Sequence, residues 1–366
     1  MTHASSSDPA PLTVIDPGLV FARRETGDLL LDLYRPASAD HPVPIVLWVH
    51  GGGWYTGDRT QAPDLTDRVR ATGCAFASID YRLSGQARFP AQLHDVRAAI
   101  RFLRAHAGEY GIDPRAVGVW GGSAGGHLAA LAGLTGHLGA LPGEQDTDGD
   151  PSVRAVVASY APVDLAAVVA EARAGRPDAD AASSPEGRLL GGAPAEVPAA
   201  ARYACPLTWV HADAPPFQLS HGTSDALVRH TQSELLHDAL AAAGASSELY
   251  LLDGFGHGFL NRDGGLDGQA AAVMDDGRLE REGTAEAVRR RAPGPDLAVG
   301  VAPAPARAQA DPQAHADAQA DAHAHAHTDT HADADGERTT FGFATVDDFL
   351  RRRLTEPGRD TPEFGR

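Results

Sequence analysis

The chain contains no lysine: all 31 of its basic residues are Arg, set against 49 Asp and Glu, for a net charge of −18. A balance this acidic repels a nucleic-acid backbone unless a local basic stripe overrides it. The tightest basic runs, residues 289–291 and 351–353, lie late in the 366-residue chain, so no nucleic-acid partner is expected. Cysteine is nearly absent. Cys74 and Cys205 lack the paired spacing of a zinc ribbon or a disulfide framework and read as two buried thiols. No stretch of 18 consecutive apolar residues occurs, and residues 1–11 carry neither the basic nor the apolar half of a secretory signal. A soluble, cytoplasmic protein without a membrane span is therefore expected. Aromatics are only 6 %, yet 43 % apolar and 22 % charged residues are ordinary for a globular chain. The length allows two domains of about 150 residues, though α/β folds often run longer as one.

What is present is an alternation of apolar runs and helical periodicity. Residues 43–50, VPIVLWVH, form a continuous apolar run of the kind a strand buried on both faces shows. A helix over 64–71, a second apolar run over 74–81 and a helix over 90–106, with Leu93, Val96, Ile100 and Leu103 at helical spacing, follow it. Strands are read at 115–120, 153–160, 216–221 and 248–252, with helices at 123–134 and 231–243. This order argues for a mostly parallel sheet covered by helices on both faces. Between 163 and 214 Ala, Pro and Gly dominate and the periodicity weakens, which suggests a small helical cap within a core of residues 19–261.

Residues 302–340 contain no Leu, Ile, Val, Met, Phe, Tyr or Trp. Such a segment cannot bury enough apolar surface to offset its ordering entropy, so disorder is expected across an insertion of residues 262–340. Val346, Phe349, Leu350 and Leu354 then make an amphipathic helix within 341–356 that should dock on the sheet. Residues 1–18 and 357–366 read as flexible ends.

The chemistry-bearing motifs sit at strand ends. Gly121-Gly122-Ser123-Ala124-Gly125 satisfies G-x-S-x-G between an apolar strand and a helix, the context of a nucleophile elbow. Side chains two positions before and after the Ser would collide with so sharp a turn, which accounts for the glycines. His50-Gly51-Gly52-Gly53-Trp54 follows the first central strand, 73 residues before Ser123. Three glycines let backbone N–H groups approach a substrate oxygen, and with the N–H of Ala124 they would form an oxyanion hole. Asp225 in HGTSD and His257 in GHGF follow the next-to-last and last of these strands, so Ser123, Asp225 and His257 occur in the order of an α/β-hydrolase triad. The more ordinary uses are a turn or cap for Asp225 and a surface loop for His257.

These residues resemble an α/β-hydrolase, and within it the esterases related to hormone-sensitive lipase and to the BD-FAE family of feruloyl and acetyl xylan esterases. The supporting stretches are HGGGW at 50–54, DYRL at 80–83, FPAQLHDVRAAIRFLR at 89–104, WGGSAGGHLAAL at 120–131, SPEGRLLGG at 184–192, HGTSD and GHGF. The resemblance spans about residues 20–260 and the last helix. It implies hydrolysis of small acyl or aryl esters through Ser123, Asp225 and His257, with the N–H groups of Gly51, Gly52 and Ala124 on the oxyanion, and needs no cofactor. Gly122 is closer to the BD-FAE pattern, since hormone-sensitive-lipase relatives usually carry an acidic residue there. The long insertion after His257 departs from both. Trp54 and residues 185–203 are candidate walls for a small-molecule ester, with packing an equal claim on Trp54.

Other residues are weighed down. The five His between 315 and 331 alternate with Ala and Asp without fixed geometry, so no metal is assigned. His127 and Asp95 read as structural, and Asp80 and Arg82 as a pair near the site. An amidase or exopeptidase of the same fold is the alternative activity and a non-catalytic scaffold the third reading. Oligomeric state is left open.

Overall fold

The computed structural model describes residues 12–172, 181–262, 274–292 and 336–355. Strands β1 (Thr13–Arg24), β2 (Gly27–Pro36) and β3 (Val43–Val49) lead to helix α1 (Leu65–Thr72), strand β4 (Ala75–Ile79) and helices α2 (Ala91–Ala105) and α3 (Ala107–Tyr110). Strand β5 (Ile112–Gly122), helix α4 (Ala124–Thr135) and strand β6 (Ala155–Ser159) follow. Helices α5 (Leu165–Ala172), α6 (Pro185–Leu190) and α7 (Pro198–Tyr203), with the 3-10 turn Pro206–Trp209, come before strand β7 (Phe217–Gly222), helix α8 (Thr231–Ala242) and strand β8 (Ser247–Leu252). The last described elements are α9 (Arg278–Glu282), β9 (Thr284–Ala292), β10 (Glu337–Gly342) and α10 (Phe343–Thr355).

All ten strands form one sheet in the order β1-β2-β4-β3-β5-β6-β7-β8-β9-β10. The six from β4 to β8 are parallel, and an antiparallel pair extends each edge. Period-two alternation sends Ile45, Leu47 and Val49 of β3 into one core with the apolar stripes of α2, α4 and α8, while Val46 and Trp48 face α1 and α10. Phe349, Leu350 and Leu354 of α10 are buried there, and Leu354 lies where a Cβ on Gly118 would be 3.1 Å from its Cδ1. The expected C-terminal helix thus docks on the sheet.

Three expectations need correction. Residues 13–18 belong to β1, not to a flexible end. Pro17 and Gly18 form a β-bulge in this edge strand, with the Gly18 N–H donated to Asp32 Oδ1 at 2.8 Å. The insertion read over 262–340 contains α9, β9 and the start of β10. These strands carry few large apolar residues: backbone pairing holds β9 on both sides and β10, the edge strand, on one, and Ala285, Ala287 and Phe341 are buried on the covered face. Most of residues 302–340, including the His-rich stretch, lies outside the described residues. Finally, Asp80 and Arg82 do not pair: Asp80 accepts from Arg59, and Arg82 forks onto the buried Asp95, which also takes Arg24. Cys205 is partly exposed, whereas Cys74 is buried.

One ion pair joins α10 to α1. Arg68 Nη1 lies 2.5 Å from Asp347 Oδ2, while Asp347 Oδ1 is buried with no hydrogen-bond partner among the described residues. Burial pushes this carboxyl up to about 7, although Arg68 pulls it down. An acid whose folded pKa lies above its unfolded value of about 3.9 contributes stability below that value and loses it as pH rises through 7. Melting temperatures at pH 5 and pH 8 are therefore expected to differ less in Asp347→Asn than in the parent protein. An equal difference in both would remove Asp347 as the cause.

Candidate functional site

The carboxyl ends of β3 to β8 all open on one side of the sheet, where open α/β folds bind ligands. β5 leads into Ser123, whose backbone is held at φ 55° and ψ −125°, a region that non-glycine residues seldom occupy. The flanking sequence makes this strained turn feasible. A Cβ on Gly121 would run into the Gly125 carbonyl, and one on Gly125 into the Val49 carbonyl. The turn is held by the Ser123 N–H donated to Ser159 O at 2.9 Å, and the side chain remains partly exposed.

His257 reaches it from the loop after β8. Its Nε2 is 2.8 Å from Ser123 Oγ and its Nδ1 is 2.6 Å from Asp225 Oδ2. A carboxylate at Nδ1 fixes the proton there, leaving Nε2 to accept from the hydroxyl. Asp225 is oriented in turn. Its Oδ1 accepts the N–H groups of Leu227 and Val228, both at 2.9 Å, so it serves its own turn as well as His257. Burial works to raise this carboxyl, but the charge of His257 and hydrogen bonds from His221 and His257 outweigh it and hold Asp225 below the usual carboxylate range. The structure thus brings together Ser123, Asp225 and His257, residues 32 and 134 positions apart in pairwise contact.

The glycine loop lies alongside. A Cβ on Gly51 would sit 3.4 Å from Ser123 Cβ, so the chain passes directly beside the elbow. Gly52, at φ 97°, turns the loop back, its carbonyl accepting from the N–H groups of Tyr55 and Thr56. His50 beneath it is fully buried; burial pushes the imidazole down to about 4, it donates Nδ1–H to Gly51 O at 2.8 Å, and it stacks on Tyr81 at 4.2 Å. Tyr81 donates its hydroxyl to His50 O.

Trp54 is only 2 % exposed and donates its indole N–H to His127 Nδ1 at 3.3 Å. His127, kept neutral by burial, donates Nε2–H to Ala204 O at 2.6 Å. This chain of bonds links the glycine loop, α4 and the segment that follows α7. Trp54 is therefore a packing residue of the loop, and the substrate-wall assignment does not hold in this conformation; His127 is structural, as expected. Within the cap, Pro185 approaches Gly53, where a Cβ would lie 3.3 Å from Pro185 Cβ.

Three further residues at the site were not assigned from the sequence. Tyr160, at φ 40°, packs its ring 4.9 Å from the imidazole of His257, and its hydroxyl lies where a Cβ on Gly122 would be 2.5 Å away. That contact gives Gly122 a steric reason to be glycine. His221 lies 3.2 Å from Asp225 Oδ2 through Nε2, which also donates to Val228 O at 2.9 Å, while its Nδ1 accepts from Ser233. Its place in HGTSD was visible, but not its contact with the acid four residues on. Asp275 meets the His257 loop from the segment after it. Among the described residues no three His, Cys, Asp or Glu could hold a metal, and no helix is long and apolar enough to cross a membrane.

Comparison with known proteins bears on this geometry. The BD-FAE family matches residues 31–240. Esterase LipC of Mycobacterium tuberculosis is 35 % identical over 257 residues, 67 % of this chain and 60 % of that protein. Esterase LipQ of the same organism is 34 % identical over 225 residues, 60 % of this chain and 52 % of that protein. The chain thus spans little more than half the length of these curated relatives. Among solved structures, a truncated carbohydrate esterase from gut microbiota superposes with a TM-score of 0.57 at 29 % identity, covering 68 % of this chain and 91 % of that one. The butyrate-bound esterase Est2 of Thermogutta terrifontis gives 0.55 at 26 % identity, covering 74 % and 93 %. The fold is that of the α/β-hydrolases, as expected from the sequence.

Proposed function

The chain belongs to the BD-FAE family, and from that membership and the hydrogen-bonded run through Ser123, His257 and Asp225 we propose that it is a serine carboxylesterase. The run is the observation that carries the reading: a partly exposed hydroxyl on a strained elbow, bonded to an imidazole that a buried carboxylate orients. In the proposed cycle His257 Nε2 removes the Ser123 proton as Oγ attacks the ester carbonyl. Asp225 holds the tautomer and stabilises the imidazolium. The N–H groups of Gly51, Gly52 and Ala124 take the charge that develops on the carbonyl oxygen, a role consistent with the path of the glycine loop beside the elbow. The leaving alcohol receives its proton from His257, and water activated by the same imidazole releases the acid and restores Ser123.

Small acyl or aryl esters are the proposed substrates, acetyl and feruloyl esters among them. The names of the relatives support an ester, and the cap standing against Gly53 through Pro185 supports a small one. Rates on p-nitrophenyl esters of two to eight carbons, on a sugar acetate and on methyl ferulate, each beside the matched anilide or amide, test this. The expected result is a preference for short or aryl esters with amides far slower. Comparable rates on the amide would favour the amidase reading, and no turnover of any ester would refute the proposal.

A further inference from the structure

The loop that carries His257 is gripped from two sides. On one side the β7 end holds it: Ser224 N–H donates to Phe255 O at 2.9 Å, and Gly254 N–H to Thr223 Oγ1 at 2.9 Å. On the other side stands residue 274 onward, in the part of the chain that departs from the family pattern. Asp275 Oδ2 accepts the Gly256 N–H at 2.5 Å, and the Asp275 N–H donates to His257 O at 2.8 Å. Arg278 Nη1 donates both to Asp275 Oδ2 at 2.9 Å and to Gly254 O at 2.7 Å, with its guanidinium carbon 3.8 Å over the Phe255 ring. The Gly277 N–H donates to Asn261 O. Every residue from 254 to 257 thus meets Asp275 or Arg278 through backbone or ring.

The geometry points to Asp275 and Arg278 as positioning residues that hold the backbone of 254–257 so that His257 Nε2 meets Ser123 Oγ and Nδ1 meets Asp225. This rests on the proposed role of His257 as the base. The physical reason is that His257 stands in a loop flanked by Gly254, Gly256 and Gly258, with Gly254 and Gly258 at positive φ, so its own sequence does little to restrict the backbone. A displacement of about 1 Å at a reacting group can cost roughly a hundredfold in rate. The Asp275–Arg278 pair is about 28 to 29 % exposed, and exposed pairs add little to global stability. Loss of the clamp should therefore show in turnover before it shows in melting.

The experiment compares Asp275→Ala, Asp275→Asn and Arg278→Ala in the full chain, by kcat and KM on a short p-nitrophenyl ester, by Tm, and by the low-field proton resonance of His257 Nδ1–H. Asp275→Ala is expected to lower kcat at least about tenfold, with KM within about twofold and Tm within about 3 °C. Asp275→Asn keeps an acceptor for the Gly256 N–H and is expected to recover kcat to within about threefold of the parent. Arg278→Ala should fall between them. The Nδ1–H resonance should broaden or shift in Asp275→Ala and return in Asp275→Asn. Unchanged kcat and resonance in Asp275→Ala, a fall in Tm that accompanies the loss of activity, or no recovery with Asn would each overturn the inference. If the parent protein hydrolyses no ester, the proposed activity fails, and the resonance alone still decides whether Asp275 sets the imidazole.

Discussion

Ser123→Ala is expected to abolish ester hydrolysis and all labelling by a fluorophosphonate. Oγ is the atom that both reactions need, and it is the one that faces His257 Nε2 at 2.8 Å. In a reference serine protease, removing the nucleophile lowers kcat by about 2 × 10⁶, leaving only what the oxyanion donors and binding supply. A loss of even about 10⁴ corresponds to roughly 5.4 kcal/mol of transition-state stabilisation. The substitution removes one partly exposed hydroxyl and no packing, so the melting temperature should stay close to that of the parent. Mass spectrometry of the labelled parent should place the adduct on Ser123. Labelling of the Ala variant at the parental rate would mean that another residue is the nucleophile.

Asp225→Asn is expected to be nearly as severe, and the surroundings of the carboxylate explain why the amide cannot adapt. Oδ1 accepts from the N–H groups of Leu227 and Val228. An asparagine must keep its oxygen there, since turning the NH₂ toward two donors leaves all three without an acceptor. Its NH₂ then faces His257 Nδ1, which has to accept, and the ring proton moves to Nε2 opposite Ser123. The imidazole can no longer take the hydroxyl proton. The comparable change in a protease triad lowers kcat by about 10⁴. The same NH₂ would also meet the N–H that His221 turns toward Oδ2, so some loss of stability should accompany the loss of rate. Turnover within tenfold of the parent would reduce Asp225 to a residue that caps its own turn.

The strained turn at Ser123 was legible because its causes are local. A serine held at positive φ between a strand and a helix requires glycine two positions to either side, and five adjacent residues record that requirement. The same holds for β3, whose short apolar run ending in glycines is of the kind a strand covered on both faces shows, and for α10, whose stripe of Val346, Phe349, Leu350 and Leu354 announces a buried face. Trp54 was ambiguous for the opposite reason: an indole beside a glycine loop serves packing or binding equally well in sequence, and only the position of His127, 73 residues away, shows which.

By its own pattern, then, the chain specified a sheet with a helix on each face, a strained serine and a set of candidate partners in hydrolase order, since backbone strain, periodicity and strand burial are written within a few residues. Folding in three dimensions settled which acid reaches which base. Asp95 went to Arg24 and Arg82, Asp80 to Arg59 and Asp225 to His257, and nothing in a list of Asp residues distinguishes these before the loops are brought together. It also settled the sheet edge at β9 and β10, where residues 284–292 pair with residues 247–252 on one side and 337–342 on the other, and it set Asp275 and Arg278 against the His257 loop. Those contacts depend on where separate segments cross, and side-chain identity alone does not encode a crossing.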